Sequence, residues 1–377
     1  MTAAPRSAVA ADGATIFFAG GGTGGHLYPG LAIARTLGRI APQVRAVFVG
    51  ARRGIERTIL PEQSVPFALL DLHPLYRPAV WRNWRTLRGA VGAWRELGAL
   101  VAREKPRLVV GTGGYASGLT LAYAIRHGVP IVQQIADSHP GLTARWFTRF
   151  CREAYLGYPE AAALLPHGAA TALLDTGNPI EPPPVPRPDA IRARVRWEFP
   201  SDVAMVLLVF GGSQGARALN EAVSAWIAHR PEGVGVIWAT GQATYEVYAR
   251  HEGPYVRVRP YLAPIAEAYA AADVAVTRAG AMTTAELCAW GIPMVLVPLP
   301  TAAADHQSEN ARALARAGAA IHLPQATLSP ARIGQTVASL IAEPERRARL
   351  AAAARDRARP AAAETIARRI LSLLDLR

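Results

Sequence analysis

Short apolar runs recur along the chain, and most run straight into glycine or proline. One series lies at 14–19, 44–49, 65–70, 108–110 and 131–132; a second lies at 205–210, 234–238, 256–258, 274–276 and 294–297. Runs that are apolar at every position suit strands of a parallel sheet covered on both faces. Helical patterns stand between them at 29–37, 53–60 and 283–289; the last stops at Gly291, with Pro293 just beyond. Alternation of this kind predicts an α/β fold. A proline-dense stretch from Asn178 to Pro188 separates the two series and reads as a stiff connector. The 377 residues exceed a usual single core, so two domains are expected. Their bounds are 14–175 and 191–363, with a linker at 176–190 and a C-terminal helix at 364–377 packing back on the first domain.

The polar chemistry gathers in the glycine turns after these runs. They are Gly20-Gly-Gly-Thr-Gly-Gly-His26, Gly111-Thr-Gly-Gly-Tyr-Ala-Ser-Gly118, Gly211-Gly-Ser-Gln-Gly215 and Arg278-Ala-Gly280. A glycine turn at the carboxyl end of a parallel strand is where α/β sheets bind ligands. At the last turn, backbone N–H groups of Ala281 to Thr284 can receive an anion such as a diphosphate. Glu286 comes about one helical turn later and can accept two ribose hydroxyls; the alternative is a solvated glutamate. The first turn has no Gly-Lys-Ser/Thr, so it is not a Walker A loop, and it departs from GxGxxG spacing. His26 is its one titratable group, either a general base or a locally bonded histidine at a helix start. Ser213 can cap a helix or bond a phosphate. Asp137 and His139 share the turn after 131–132, where each also reads as a solvated loop side chain.

Composition changes this picture in few places. Hydrophobic residues make up 51% and charged residues 18%, as in a globular chain. No apolar run reaches the ~18 residues of a membrane span. The first thirteen residues are Ala-rich without the apolar core of a signal peptide, so export is not expected. Cys151 and Cys288 form no metal or redox pattern and read as buried free thiols in a reducing compartment. The net charge is +13, almost all from arginine, with Lys105 the sole lysine. A basic surface suits anionic lipid or phosphorylated substrates; no zinc-finger spacing or RNA-binding signature points to nucleic acid. Arg82, Arg85, Arg88 and Arg95 interleave with Trp81, Trp84 and Trp94, while Leu87, Val91, Trp94, Leu97 and Val101 fall at helical spacing. This segment is either a membrane-surface helix or an amphipathic core helix with a solvated basic face.

Taken in order, the first three glycine loops resemble those of the MurG family. Arg278-Ala-Gly-Ala-Met-Thr-Thr-Ala-Glu286 and His306-Gln307-Ser-Glu-Asn310 resemble its donor-site motifs, so the likeness runs from about Ala14 to Ala320. The family is a GT-B glycosyltransferase that adds N-acetylglucosamine to lipid I, giving lipid II for peptidoglycan. The resemblance implies two Rossmann-like, doubly wound domains facing a cleft. It implies that the second domain holds UDP-N-acetylglucosamine. Glu286 would take the ribose and Leu262 the uracil. Ser213, with Gln214 beside it, and the backbone of Ala281, Met282, Thr283, Thr284 and Ala285 would take the diphosphate. Gln307 would read the sugar hydroxyls, and Thr23, Gly24 and Gly25 would complete the site from the first domain. No cofactor or bound metal is implied, because helix N-termini can stabilise a UDP leaving group. Inversion requires one base for the acceptor 4-hydroxyl: His26 first, Asp137 as its rival. The partners implied are a lipid-linked acceptor and the anionic cytoplasmic face of the cell membrane, with the protein peripheral to it. The chain departs from the family at three positions: Ile135 stands for a glutamate, Asp137 for an asparagine and Glu181 for an arginine. A related transferase with another lipid acceptor, an epimerase, or a non-catalytic UDP-sugar-binding protein on the same fold are the other readings.

Overall fold

A computed structural model describes residues 13–74, 83–166, 168–212 and 215–376, with the side chains of 83–88 excepted. The chain divides into two compact units, Met1–Glu181 with Ala361–Arg377, and Pro182–Pro360.

In the first unit the strands are β1 (Thr15–Gly20), β2 (Arg45–Ala51), β3 (Phe67–Leu70), β4 (Leu108–Gly113), β5 (Ile131–Ile135), β6 (Glu153–Leu156) and β7 (Ala172–Asp175). They form one parallel sheet in the order β3-β2-β1-β4-β5-β6-β7. The period-2 geometry of a strand sends alternate residues of β1 to opposite faces. Ile16 and Phe18 pack with Leu27 and Leu31 of the helix Gly24–Ile40 and with Ile366 and Ile370 of the helix Ala362–Leu373. Phe17 and Ala19 pack on the other side with Leu97 of the helix Asn83–Glu104 and Leu121 of the helix Tyr115–Arg126. The C-terminal helix is also pinned by charge. Arg369 forks over Glu153, which is 5% exposed, and Arg107 donates to the Leu374 carbonyl at 3.0 Å.

The second unit repeats the plan. Its strands are β8 (Met205–Phe210), β9 (Val234–Ala239), β10 (Val256–Arg259), β11 (Val274–Thr277), β12 (Met294–Leu296) and β13 (Ala320–His322), ordered β10-β9-β8-β11-β12-β13 and all parallel. Leu207, Val209, Trp238, Val276 and Val295 meet Leu219, Ile333 and Val337 in its core. In each unit the strand order reverses once, between β1 and β4 and between β8 and β11. Those are the crevices where doubly wound sheets bind ligands.

The structure departs from the pattern at several elements. The helix expected at 53–60 is a short turn, Glu56–Ile59, running into a 3-10 turn that contains Pro61. The helix Ala281–Trp290 starts two residues before the expected 283. Helix Asn83–Glu104 buries Ala93, Leu97 and Leu100, so Val91 of the expected stripe is 60% exposed. Trp94 turns to Tyr123 and His127, with ring centroids at 4.8 and 6.5 Å, and serves helix packing. The expected linker is anchored: Asn178 and Ile180 are buried in the first unit, and Arg187 donates to the Trp290 and Ala289 carbonyls in the second. Among the described residues no helix is long and apolar enough to cross a membrane.

Candidate active site

At the β1/β4 crevice the backbone is shaped around two side chains, Glu56 and His26. Glu56 is fully buried and accepts from the Gly22 N–H at 2.9 Å and the Ala51 N–H at 3.0 Å. Gly21 lies against it, with φ +143; a Cβ there would sit 2.0 Å from Glu56 Oε1, so a side chain at this position would displace the carboxylate. The pairing of β1 with β4 slips after Ala19, and Thr112 falls in the slip. Its hydroxyl donates to the His26 carbonyl at 2.7 Å, fixing the first turn of helix Gly24–Ile40. The His26 ring lies on the backbone of Gly113 (φ +97), where a Cβ would stand 2.7 Å from His26 Cδ2.

Thr23 is the residue before that helix, yet its side chain does not cap it. Its Oγ1 stands 3.0 Å from His26 Nδ1 instead. If Nδ1–H donates to this hydroxyl, Nε2 carries the lone pair a general base needs. His26 is half-buried, Thr23 and Gly25 are exposed, and Gly24 is intermediate.

Asp137 stands just past the end of β5, half-buried, two strands along the sheet from β1. The strand end beneath it is held by a buried relay: Gln134 donates to Asn178 Oδ1 at 2.8 Å, and Asn178 donates to the Ala136 carbonyl at 3.0 Å. Ile135 is 4% exposed and packs with Ala144, Ala154 and Leu156, so its position belongs to the core. His139 takes an Arg145 guanidinium N–H on Nε2 at 2.7 Å, because a guanidinium only donates. It is a packing partner of that arginine.

At the β8/β11 crevice the turn Arg278-Ala-Gly280 is clamped from below. Arg278, 8% exposed, donates to the Val297 and Pro298 carbonyls at 3.0 Å each and to Gln325 Oε1 at 2.7 Å. Burial lowers its pKa from the usual arginine value. Asn310, fully buried, donates to the Ala279 carbonyl at 3.2 Å. Helix Ala281–Trp290 therefore starts from a rigid turn. Ala281, Met282 and Thr283 form its first turn, where backbone N–H groups point out of the helix start. The Thr284 N–H is already spent on the Gly280 carbonyl at 3.0 Å, and its hydroxyl bonds the Gly280 and Ala281 carbonyls. That narrows the expected anion-facing donors: Thr284 and Ala285 lie inside the helix ladder.

Glu286 is half-buried one turn on, and the Tyr269 hydroxyl donates to its Oε2 at 2.7 Å. Burial, then the adjacent carboxylate, push the Tyr269 phenol well above its usual range, so it stays protonated. Sequence reasoning missed Tyr269; the signal was a lone aromatic in the alanine run Ala266-Glu-Ala-Tyr269-Ala-Ala-Ala272. Gln307 accepts the Leu299 N–H on Oε1 at 3.0 Å, which fixes its amide orientation. Leu262 is 6% exposed. Ser213 and Gln214 lie outside the described residues, between Gly212 (φ +83) and Gly215 (φ +74). A cavity of about 400 Å³ lies at the other end of this sheet, bordered by Arg187, Asp273, Pro293 and Arg347. Those charges are engaged with backbone carbonyls or, for Asp273, with Arg194 and the Val206 N–H, so it does not serve the crevice.

Two parallel, doubly wound α/β units, each with a glycine-turn crevice where its strand order reverses, make up the GT-B class of fold. Residues 16–156 match the glycosyltransferase family 28 N-terminal domain, and residues 206–366 match the family's C-terminal domain. The chain belongs to glycosyltransferase family 28 and, within it, to the MurG family. It is 41% identical to the UDP-N-acetylglucosamine–N-acetylmuramyl-(pentapeptide) pyrophosphoryl-undecaprenol N-acetylglucosamine transferase of Salinibacter ruber, over 96% of this chain and 97% of that one. It is 38% identical to the transferase of the same name from Moorella thermoacetica, over 96% and 99%. Among solved structures it resembles MurG of Acinetobacter baumannii, with a TM-score of 0.76 and 25% identity over 95% of this chain and 99% of that one. A UDP-N-acetylglucosamine 2-epimerase, at 12% identity and a TM-score of 0.62, shares the fold.

Proposed function

We propose that this glycosyltransferase moves N-acetylglucosamine from UDP-N-acetylglucosamine onto the N-acetylmuramyl-pentapeptide carried by pyrophosphoryl-undecaprenol. The observation that carries this is 41% identity over 96% of the chain to a transferase of that name. The second unit takes the donor. The diphosphate meets the first-turn N–H groups of Ala281 to Thr283, with Ser213 and Gln214 from the third glycine loop. Glu286 accepts the ribose hydroxyls, Leu262 meets the uracil and Gln307 reads the sugar. The rigid Arg278 turn supports this role, since donors fixed before the reaction stabilise a leaving diphosphate without reorganising. The first unit takes the acceptor, with Thr23, Gly24 and Gly25 near the reacting groups. His26 Nε2 removes the proton from the acceptor 4-hydroxyl as the oxygen attacks the anomeric carbon; Asp137 is the other base within that unit.

The lipid acceptor keeps the enzyme at the cytoplasmic membrane face, since each CH₂ drawn into water costs ~0.8 kcal/mol. Exposed Val91 and Arg95 support a docking role for one face of helix Asn83–Glu104. Trp81 and the Trp84 side chain lie outside the described residues. Replacing both tryptophans by serine is expected to release the protein from anionic vesicles and spare UDP binding. Equal sedimentation of both proteins at low and high salt refutes the docking role.

The activity itself is tested with purified protein, UDP-N-acetylglucosamine and the lipid-linked acceptor. UDP is expected to appear only when the acceptor is present. UDP released without it, or a donor sugar epimerised in its absence, points to a different chemistry.

A further inference from the structure

We infer that Tyr269 is a positioning residue for donor recognition: it holds the Glu286 carboxylate in the pose that receives the ribose hydroxyls. This rests on the proposed role of Glu286. A glutamate on an exposed helix face samples many rotamers, and a ligand that freezes it loses affinity to that ordering. Here the ordering is already done. The phenol donates to Oε2 at 2.7 Å. The tyrosine ring is itself fixed, 3% exposed, with its centroid 6.2 Å from that of Phe210 and 5.8 Å from that of Trp290.

A phenol also suits the task better than a cation would. An arginine fork would occupy both carboxylate oxygens and cancel the charge. The phenol O–H orients the oxygen it bonds without bringing a positive charge to the carboxylate. Burial keeps that donor protonated, so the arrangement persists across neutral and mildly basic pH.

The test measures binding of UDP and of 2′,3′-dideoxy-UDP to wild type, Tyr269→Phe and Glu286→Gln. Phenylalanine keeps the ring that packs on Phe210 and Trp290, so the fold is expected to persist; matching circular dichroism and thermal unfolding check this. Tyr269→Phe is expected to weaken UDP about three- to tenfold, in line with the cost of ordering one freed side chain on binding, and to weaken the dideoxy nucleotide little. The preference for UDP therefore shrinks. The KM for the sugar donor rises while kcat at saturating donor holds. If Tyr269→Phe weakens both nucleotides equally, or neither, while Glu286→Gln loses the preference, Tyr269 has no positioning role. If Glu286→Gln keeps the full preference, Glu286 does not hold the ribose, and the role of Tyr269 falls with it.

Discussion

The two crevices share a strand order and differ in what fills them. At β1/β4, two glycine turns close around side chains. Gly21 makes room for buried Glu56, and Gly113 makes room for the His26 ring. At β8/β11, the buried polar groups serve the backbone. Arg278 and Asn310 bond carbonyls around the turn that starts helix Ala281–Trp290. The first arrangement presents a group that can move a proton; the second presents fixed N–H donors that can receive an anion. On the proposed roles, one sheet topology supports acid–base work in one unit and anion recognition in the other.

The sharpest way to break this comparison is to remove the proton-moving group. His26→Ala is expected to lower kcat about 10²–10⁴-fold and to leave UDP affinity unchanged, because His26 belongs to the first unit. Asp137→Ala is expected to cost far less. Steady-state rates with UDP titrations on both variants check the pair. Near-normal turnover in His26→Ala beside a collapse in Asp137→Ala would move the base from the start of helix Gly24–Ile40 to the end of β5.

The second test works on the recognition side. A charged hydrogen bond is worth ~1.5–3 kcal/mol, so Glu286→Ala is expected to weaken UDP about tenfold or more by calorimetry. Unchanged affinity would leave the β8/β11 crevice without its ribose contact. A kcat loss larger than the affinity loss would mean that recognition and chemistry are not divided as the two crevices suggest.

Much of this was legible in the sequence, for a physical reason. Strands buried on both faces leave unbroken apolar runs, and β1, β4, β8 and β11 all carry them into a glycine turn. The short strands away from the crevices carried less signal. β13 has three residues, and β6 opens on Glu153, whose burial depends on Arg369, 216 residues away. Long-range pairing is invisible to periodicity. The same limit hid the supports of the candidate site. Tyr269, Asn310 and the Asn178 relay act through contacts between elements, and each looks ordinary in its own segment. The expected stripe holds at Leu97, which is buried, and at Val101, which packs on the same core, and fails at Val91, because the buried face Ala93-Leu97-Leu100 also runs at helical spacing. Composition alone does not say which face meets the sheet.

The smallest expected effect gives the finest reading of the first crevice. Thr23 Oγ1 lies 3.0 Å from His26 Nδ1, and both partners face solvent in part. A neutral hydrogen bond of this kind is worth ~0.5–1.5 kcal/mol, or about two- to tenfold in rate. Its value lies in the tautomer it selects. When Nδ1–H donates to the threonine, Nε2 is left to take the acceptor proton. When the hydroxyl is removed, the imidazole can place its proton on Nε2, and that fraction of the enzyme cannot act as base. Thr23→Val is therefore expected to lower kcat by that small factor with the donor KM unchanged, and Thr23→Ser to restore it. A rise in donor KM at constant kcat would instead mean that Thr23 touches the nucleotide sugar, and the β1/β4 crevice would then share in recognition.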